Sequence, residues 1–196
     1  VLQSLDFLRD VIEHNRDVVV IIDEAYADFS GSSALELTKE YDNVLIVQTY
    51  SKSRSLAGMR IGYAMGNPEL IRAMNDVRYS YNSYPMTRLS VALGAAALED
   101  EAYFRETVAK VIETREWTKK ELKRLGFAFR DSQTNFIFAT HESVPAQTIF
   151  DVLREKHIFV RHFGQKRIEN YLRISIGTQA EMERFIRETE QIIAQN

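Results

Sequence analysis

Val44-Leu45-Ile46-Val47-Gln48-Thr49-Tyr50-Ser51-Lys52-Ser53-Arg54-Ser55-Leu56-Ala57-Gly58 is an apolar run that stops abruptly and gives way to hydroxyls, one lysine and residues of little bulk. Val44 to Gln48 reads as a buried strand. The same grammar occurs upstream, where Val18 to Ile22 ends at Asp23-Glu24-Ala25-Tyr26. Unbroken β-branched runs of this kind suit a parallel sheet covered on both faces. Before the first run, Leu5, Leu8, Val11 and Ile12 recur at helical spacing after Ser4 and stop near Asn15. Between the runs, Asp28 to Ser33 with Gly31 reads as loop and Leu35 to Tyr41 as helix, and Arg60 to Met65 follows as a third strand. This alternation predicts an open α/β sheet, whose ligands bind beyond the carboxyl ends of the strands. Asp23 and Lys52 both fall at such ends.

Asn67-Pro68 opens a helix expected to run to about Val77. The aromatic stretch Tyr79 to Pro85 is expected to break it, and Thr87 caps a further helix to Leu98. A long amphipathic helix spans Glu101 to Leu125 and stops at Gly126. Beyond it the order changes to strands at Phe127–Phe129 and Phe136–Ala139, a helix after Pro145 to Lys156, strands at Phe159–Arg161 and Leu172–Ile176, and a helix from Gln179 towards Ile193. That is a small α+β unit. There is no internal repeat or low-complexity tract.

With 28 acids against 25 Lys and Arg, the formal net charge of -3 gives no field that favours nucleic acid or an anionic membrane, so a small-molecule ligand is expected. The absence of cysteine removes disulfides and thiolate metal sites together and suits a reducing compartment, with cytoplasm the expected location. No apolar stretch approaches the roughly 20 residues that span a bilayer. The four histidines show no metal-ligand spacing, and no metal is expected.

The chemistry-bearing residues converge on one type of site. Lys52 offers an amine for a Schiff base, the hydroxyls around it together with Arg60 suit a phosphate, and the small residues let backbone approach a planar ring. Asp23 can keep a pyridine nitrogen protonated, and Tyr26 can donate to a ring hydroxyl. Those are the requirements of covalently held pyridoxal 5'-phosphate. Taken alone, Lys52 would be a surface charge and Asp23 a turn residue, and it is their combination that points to the cofactor. Glu24 reads as structural or solvated. Arg173, inside the alternating strand Tyr171-Leu172-Arg173-Ile174-Ser175-Ile176, either pairs with an anion or faces water on the wet side of a small sheet. Arg161, beside His162, poses the same question.

Thr49 to Gly58 followed by Met59-Arg60-Ile61-Gly62-Tyr63 resembles the lysine signature of fold-type-I pyridoxal-phosphate aminotransferases of the class-II group, and Asp23-Glu24-Ala25-Tyr26 resembles their pyridine-binding strand end. Val160-Arg161-His162-Phe163 and Tyr171 to Thr178 are most similar to the histidinol-phosphate aminotransferases within that group. The resemblance implies residues 1–100 as the C-terminal part of a large cofactor-binding domain and 101–196 as a bridging helix with a small C-terminal domain. It implies Lys52 as the Schiff-base lysine, Asp23 as the pyridinium partner and Tyr26 as donor to the ring hydroxyl. Thr49, Ser51 and Arg60 would bind the phosphate, while Arg173 and Arg161 would take the substrate anion. It further implies transamination between glutamate/2-oxoglutarate and imidazole-acetol phosphate/histidinol phosphate in histidine biosynthesis, and a homodimer. Family members also carry an Asn-Pro-x-x-Pro-Thr-Gly element, a glycine-containing phosphate loop with a stacking aromatic, and a tyrosine lent by the partner subunit. None is in this sequence, so the chain is expected to be the C-terminal portion of such an enzyme. The same residues serve other aminotransferases and threonine-phosphate-type decarboxylases, and a catalytically silent, self-associating piece is the expectation of a different class.

Overall fold

The computed structural model describes residues 2–195. In chain order the elements are α1 (Leu5–Glu13), β1 (Val20–Asp23), α2 (Leu37–Glu40), β2 (Val44–Thr49), β3 (Gly62–Gly66), α3 (Pro68–Tyr81), α4 (Arg88–Glu99), α5 (Glu101–Arg124), β4 (Phe127–Phe129), β5 (Phe136–His141), α6 (Ala146–Glu155), β6 (Arg161–His162), β7 (Leu172–Ser175) and α7 (Gln179–Ala194). They form two compact units, Leu2–Glu106 and the residues from Thr107 onward, and the division falls inside α5.

The first unit holds a mixed sheet of order β1-β2-β3. β1 runs parallel to β2, with Val20 opposite Val44 and Asp23 opposite Val47. β3 returns antiparallel, with Ile46 opposite Met65 and Gln48 opposite Tyr63. The connections explain the difference. Residues 24–43 contain a 3-10 turn and α2 and can cross over the sheet, whereas residues 50–61 form a tight loop that brings the chain back beside the strand it has just left. α1 and α2 supply Ile12 and Leu37, both fully buried, against Val44 and Ile46, with Val20, Ile22 and Met65 packed around them. Ser4 caps α1 by accepting from Phe7 N, which ends its fraying at the point where the Leu5, Leu8, Ile12 stripe begins.

Several sequence expectations need correction. The sheet expected to be parallel is mixed, since β3 returns antiparallel, and the strand expected at Phe159–Arg161 is Arg161–His162. The run from Val18 to Ile22 is not covered on both faces: Val18, Val19 and Ile21 are exposed, Ile21 by 61%, and burial alternates along β1. The α1 and α2 contacts cover the side of Val20 and Ile22 and leave the side of Ile21 and Asp23 open. The third strand starts at Gly62 rather than Arg60, because Arg60 adopts a left-handed conformation (φ 56°) that cannot continue a strand. α3 runs on to Tyr81, since tyrosine weakens a helix only slightly and the break comes at Asn82.

The second unit has an antiparallel sheet of order β4-β5-β7-β6. Ile137, Ala139, Leu172 and Ile174 face α5, α6 and α7, whose Leu122, Ile149, Leu153, Phe185 and Ile186 complete a continuous core. Gly126 (φ 85°) ends α5 as expected, and a Cβ there would lie 3.1 Å from His141 Nε2. That histidine is structural: its Nδ1 accepts from Val144 N, which leaves Nε2 to donate to the Leu125 carbonyl. Among the described residues no helix is long and apolar enough to cross a membrane.

Among the described residues of this unit, Arg115 and Lys119 are the buried cations, and both are matched. Lys119 Nζ donates to Asp131 Oδ1 at 2.5 Å and to both carboxylate oxygens of Glu116 at 2.9 and 3.1 Å. Arg115 donates to Glu116 Oε1 and to the Thr134 carbonyl, so the loop before β5 is pinned to α5. The bond from Lys119, seconded by Gln133, holds the Asp131 carboxyl below its ordinary value. Burial pushes Glu116 upward, but its bonds from Lys119 and Arg115 outweigh this and hold it low. Both carboxyls are therefore more acidic folded than unfolded. Their stabilisation is complete above the ordinary carboxylate range of about 4 and disappears as pH falls through the lowered folded values. Denaturation at a series of pH values is expected to show this decline for the native chain. Lys119→Met is expected to melt ~2–4 °C lower at neutral pH, the shift that about 1 kcal/mol gives a chain of this size, and to lose stability less steeply below pH about 4.

Candidate active site

In a parallel pair both carboxyl ends share one edge, so Asp23, the last residue of β1, and Thr49, the last of β2, close the sheet on the same side. Glu24 N donates to the Val47 carbonyl at 2.9 Å and carries the pairing one residue past the strand. Asp23 and Glu24 consequently point to opposite faces. Asp23 is exposed, and its Oδ1 accepts the Ala25 amide at 2.9 Å. Glu24 accepts from Ser33 Oγ (2.8 Å), Ala34 N (2.6 Å) and Gln48 Nε2 (2.8 Å), which makes it the tie between the loop before α2 and the sheet.

Lys52 lies three residues past β2, half-buried, with its ammonium 5.7 Å from the centroid of the Tyr26 ring. Among the described residues that ammonium has no hydrogen bond or ion pair. An amine set against an aromatic face and left without an anion is available for chemistry. Thr49 Oγ1 accepts from Ser51 N (3.1 Å) and shares a 2.9 Å hydrogen bond with Ser51 Oγ, so the two hydroxyls stand side by side at the strand exit. Arg60 is exposed, and among the described residues it donates to the Ala57 carbonyl alone, at 2.8 Å. The six residues singled out in the first unit, Asp23, Tyr26, Thr49, Ser51, Lys52 and Arg60, thus all belong to the strand-end loops of one sheet. The exposed acid, the unpaired amine, the adjacent hydroxyls and the spare guanidinium donors fit the donor set that pyridoxal phosphate requires.

The second unit carries the other two. Arg161 and Arg173 face each other directly across β6 and β7. Two like charges in register destabilise a sheet. The Arg173 guanidinium stands 4.3 Å from the Phe136 ring centroid, and its Nε is buried without a hydrogen-bond partner. Arg161 lies 4.9 Å over the Phe163 ring and is otherwise exposed. A buried guanidinium nitrogen with nothing to donate to, opposite a second arginine, is an arrangement that an anion would complete. Of the two readings left open for Arg173, its half-buried side chain and orphaned Nε disfavour the fully wet one.

Several supporting residues were not singled out in the sequence. Ser53 is buried and donates to the Asp28 carboxylate. Arg54 lies 4.0 Å over the Phe104 ring, 5.6 Å from that of Tyr50, and donates to the Ala97 carbonyl at 2.5 Å. Gln48 and Tyr63 join Glu24 in a polar row. The one sequence signal for that row was Gln48, a polar residue directly after the apolar run Val44–Val47 of β2. Among the described residues no group of three or more His, Asp or Glu is placed to hold a metal ion.

Known proteins resemble this chain along almost its whole length. The model of the family Aminotransferase class I and II matches residues 1–188. A histidinol-phosphate aminotransferase of Brachyspira hyodysenteriae is 50% identical over 193 residues, covering 98% of this chain and 54% of that protein. A histidinol-phosphate aminotransferase of Clostridium botulinum is 49% identical over 190 residues, again 54% of its length, so the chain spans about half of the curated relatives it matches. The crystal structure of histidinol-phosphate aminotransferase from Sinorhizobium meliloti in complex with pyridoxal-5'-phosphate superposes with a TM-score of 0.81 at 28% identity, over 95% of this chain and 53% of that one. With its family model matched almost from end to end, and with lysine, acid and hydroxyls gathered at one sheet edge, the chain belongs to the class I and II aminotransferases.

Proposed function

We propose that this chain supplies the lysine-bearing portion of a pyridoxal-phosphate-dependent histidinol-phosphate aminotransferase that works as a homodimer and exchanges an amino group between glutamate/2-oxoglutarate and imidazole-acetol phosphate/histidinol phosphate. The observation that carries the reading is the unpaired Lys52 ammonium against the Tyr26 ring, at the same sheet edge as the exposed Asp23 carboxylate. Supporting it are relatives at about half identity that bear the histidinol-phosphate aminotransferase name. The assignment of residues 1–100 to a large cofactor-binding domain and of 101–196 to a bridging helix with a small domain rests on the resemblance of their motifs to those of the family.

The cofactor, when bound, supplies the electron sink for a carbanion at the substrate's α-carbon. The chain's own residues do the rest. Lys52 would hold the cofactor through Nζ, and the same nitrogen, once free, would serve as the base that takes the substrate's α-proton. Asp23 would keep a proton on the ring nitrogen, Tyr26 would donate to the ring hydroxyl, and Thr49, Ser51 and Arg60 would hold the phosphate. Arg173, helped by Arg161, takes the carboxylate of one substrate and the phosphate of the other, a dual task that a guanidinium's planar fork suits.

Two observations favour other readings. A decarboxylase from Sulfurospirillum multivorans shares the fold with a TM-score of 0.85 at 22% identity, covering 98% of this chain and 58% of that one. Removal of carbon dioxide needs the same lysine and acid. In a different class, Val77, Tyr81, Tyr84, Leu89 and Val91 are exposed, Tyr81 and Tyr84 by more than nine-tenths, and apolar surface of that extent suits a silent self-associating chain.

Reduction with borohydride in the presence of pyridoxal phosphate, followed by peptide mass analysis, is expected to place the label on Lys52 in preference to the other lysines. Random labelling would remove the enzyme reading in favour of the silent one. Glutamate-dependent amination of imidazole-acetol phosphate, measured against carbon dioxide release, separates transaminase from decarboxylase. For the second unit, inorganic phosphate is expected to raise the melting temperature by an amount equivalent to ~1.4 kcal/mol at tenfold its dissociation constant. Arg173→Met is expected to abolish that rise.

A further inference from the structure

Two residues along from the apolar row Ile22–Ile46–Met65, the same face of the first sheet carries Glu24, Gln48 and Tyr63, one from each strand end. The alternation of side chains puts Asp23 and Thr49 on the opposite face. Tyr63 Oη donates to Gln48 Oε1 at 2.5 Å, and Gln48 Nε2 donates to Glu24 Oε2 at 2.8 Å. The direction of this chain is forced. A carboxylate only accepts, so Gln48 must turn its NH2 group to Glu24 and its carbonyl to Tyr63, which leaves the phenol as donor. Burial, then the nearby Asp28 and Tyr50, raise the Tyr63 pKa and keep that proton in place.

The far end of the row is equally fixed. Glu24 Oε2 also accepts from Ser33 Oγ, Oε1 accepts from Ala34 N, and the Glu24 amide is bonded to Val47. A residue held by its backbone and by both carboxylate oxygens cannot turn about the strand axis. Asp23 is the residue before it, and among the described residues its carboxylate is held by one bond, from the amide of Ala25, the residue after Glu24. The orientation of Asp23 is therefore inherited from its neighbour.

We propose that Glu24, Gln48 and Tyr63 form a hydrogen-bonded brace that fixes the aim of Asp23 from the reverse side of the sheet, with Gln48 as its central positioning residue. The brace joins the three strands at the edge where Lys52 follows β2, and so it sets the acid and the amine at a constant separation. This deepens the reading under Proposed function and rests on the roles given there to Asp23 and Lys52.

The test uses the full chain with Gln48→Leu, which keeps the bulk and removes both bonds, Tyr63→Phe, which removes only the terminal donor, and Ile12→Val as a core change away from the row. The first readout needs no cofactor. Hydrogen exchange at the Ala25 amide is expected to accelerate at least tenfold in Gln48→Leu, less in Tyr63→Phe, and in Ile12→Val only by the factor seen at core amides. The second is the selectivity of pyridoxal phosphate and borohydride for Lys52 over the other lysines, expected to fall at least fivefold in Gln48→Leu. Unchanged Ala25 exchange and unchanged selectivity in Gln48→Leu, with the native chain labelled selectively, would overturn the brace and leave the cofactor reading intact. Acceleration no greater than in Ile12→Val would overturn it as well, because the row would then be merely structural. If the native chain shows no selectivity, the cofactor reading fails, and the brace stands or falls on Ala25 exchange. Should Gln48→Leu not fold, Tyr63→Phe carries both readouts.

Discussion

Parallel pairing of Val20–Asp23 with Val44–Val47 is the constraint on which the candidate site depends. Antiparallel pairing would send the carboxyl ends of these strands to opposite edges and separate Asp23 from Lys52 by the length of the sheet. The register matters as much as the direction. A slip of one residue would turn Asp23 onto the face of Glu24 and bury a carboxylate among Ile12, Leu37 and Ile46. What prevents the slip is the apolar row itself: Ile22, Ile46 and Met65 lie side by side under α1 and α2 only in the observed register. Burial on one face thus fixes chemistry on the other.

The second unit treats its cations in two ways, and the contrast is informative. Arg115 and Lys119 are almost completely buried, and each is met by carboxylates or carbonyls from α5 and the loop before β5. Arg173 is less buried, yet its Nε is an orphan and its cross-strand neighbour is another arginine. A sequence that supplies Glu116, Asp131 and a carbonyl to two structural cations could supply one acceptor to a third. Among the described residues Arg173 has the Phe136 face and no acceptor for Nε, at a cost in stability of the order of 1–3 kcal/mol for an unsatisfied buried donor. An anion at that nitrogen would offset the cost.

Much of this was legible in the sequence. The strand ends were legible to within one residue, expected at Ile22 and Gln48 and found at Asp23 and Thr49, because an apolar β-branched run that stops on a polar residue marks both the end of burial and the start of a loop. The caps at Ser4, Asn67 and Thr87 and the stop at Gly126 were legible for the same local reason. Three features were not. The exposure of Val18, Val19 and Ile21 depends on which elements pack against the sheet, and nothing in the run itself records that. The antiparallel return of β3 depends on how tightly residues 50–61 fold. The role of Glu24 depends on Ser33, Ala34 and Gln48 meeting it, two of them a loop away and one on another strand. Alternation along β1 does, however, require two consecutive acids to face opposite ways, so one of the pair had to find partners behind the sheet.

The loop between β2 and β3 shows how the site is kept in an unfavourable conformation. Ser55 and Arg60 both have φ near 56°, a region that costs a residue with a side chain about 1–2 kcal/mol. Neither is glycine, although glycine would remove the cost, so the surrounding contacts must impose it. Tyr50 N donates to the Ile61 carbonyl and Leu56 N to the Tyr50 carbonyl, which closes the loop at its base around Lys52. From the side, Ser90 of α4 donates to the Met59 carbonyl, and Gly94 lets Ile61 approach so closely that a Cβ would lie 2.9 Å from its Cδ1. Arg54 reaches past Tyr50 to the Ala97 carbonyl and ties the end of α4 to the residues just after Lys52. A backbone over-determined from three directions cannot relax by turning Ser55 or Arg60 to ordinary angles. The strain that packing imposes on Ser55 and Arg60 is therefore a stability cost carried by the loop that holds Lys52.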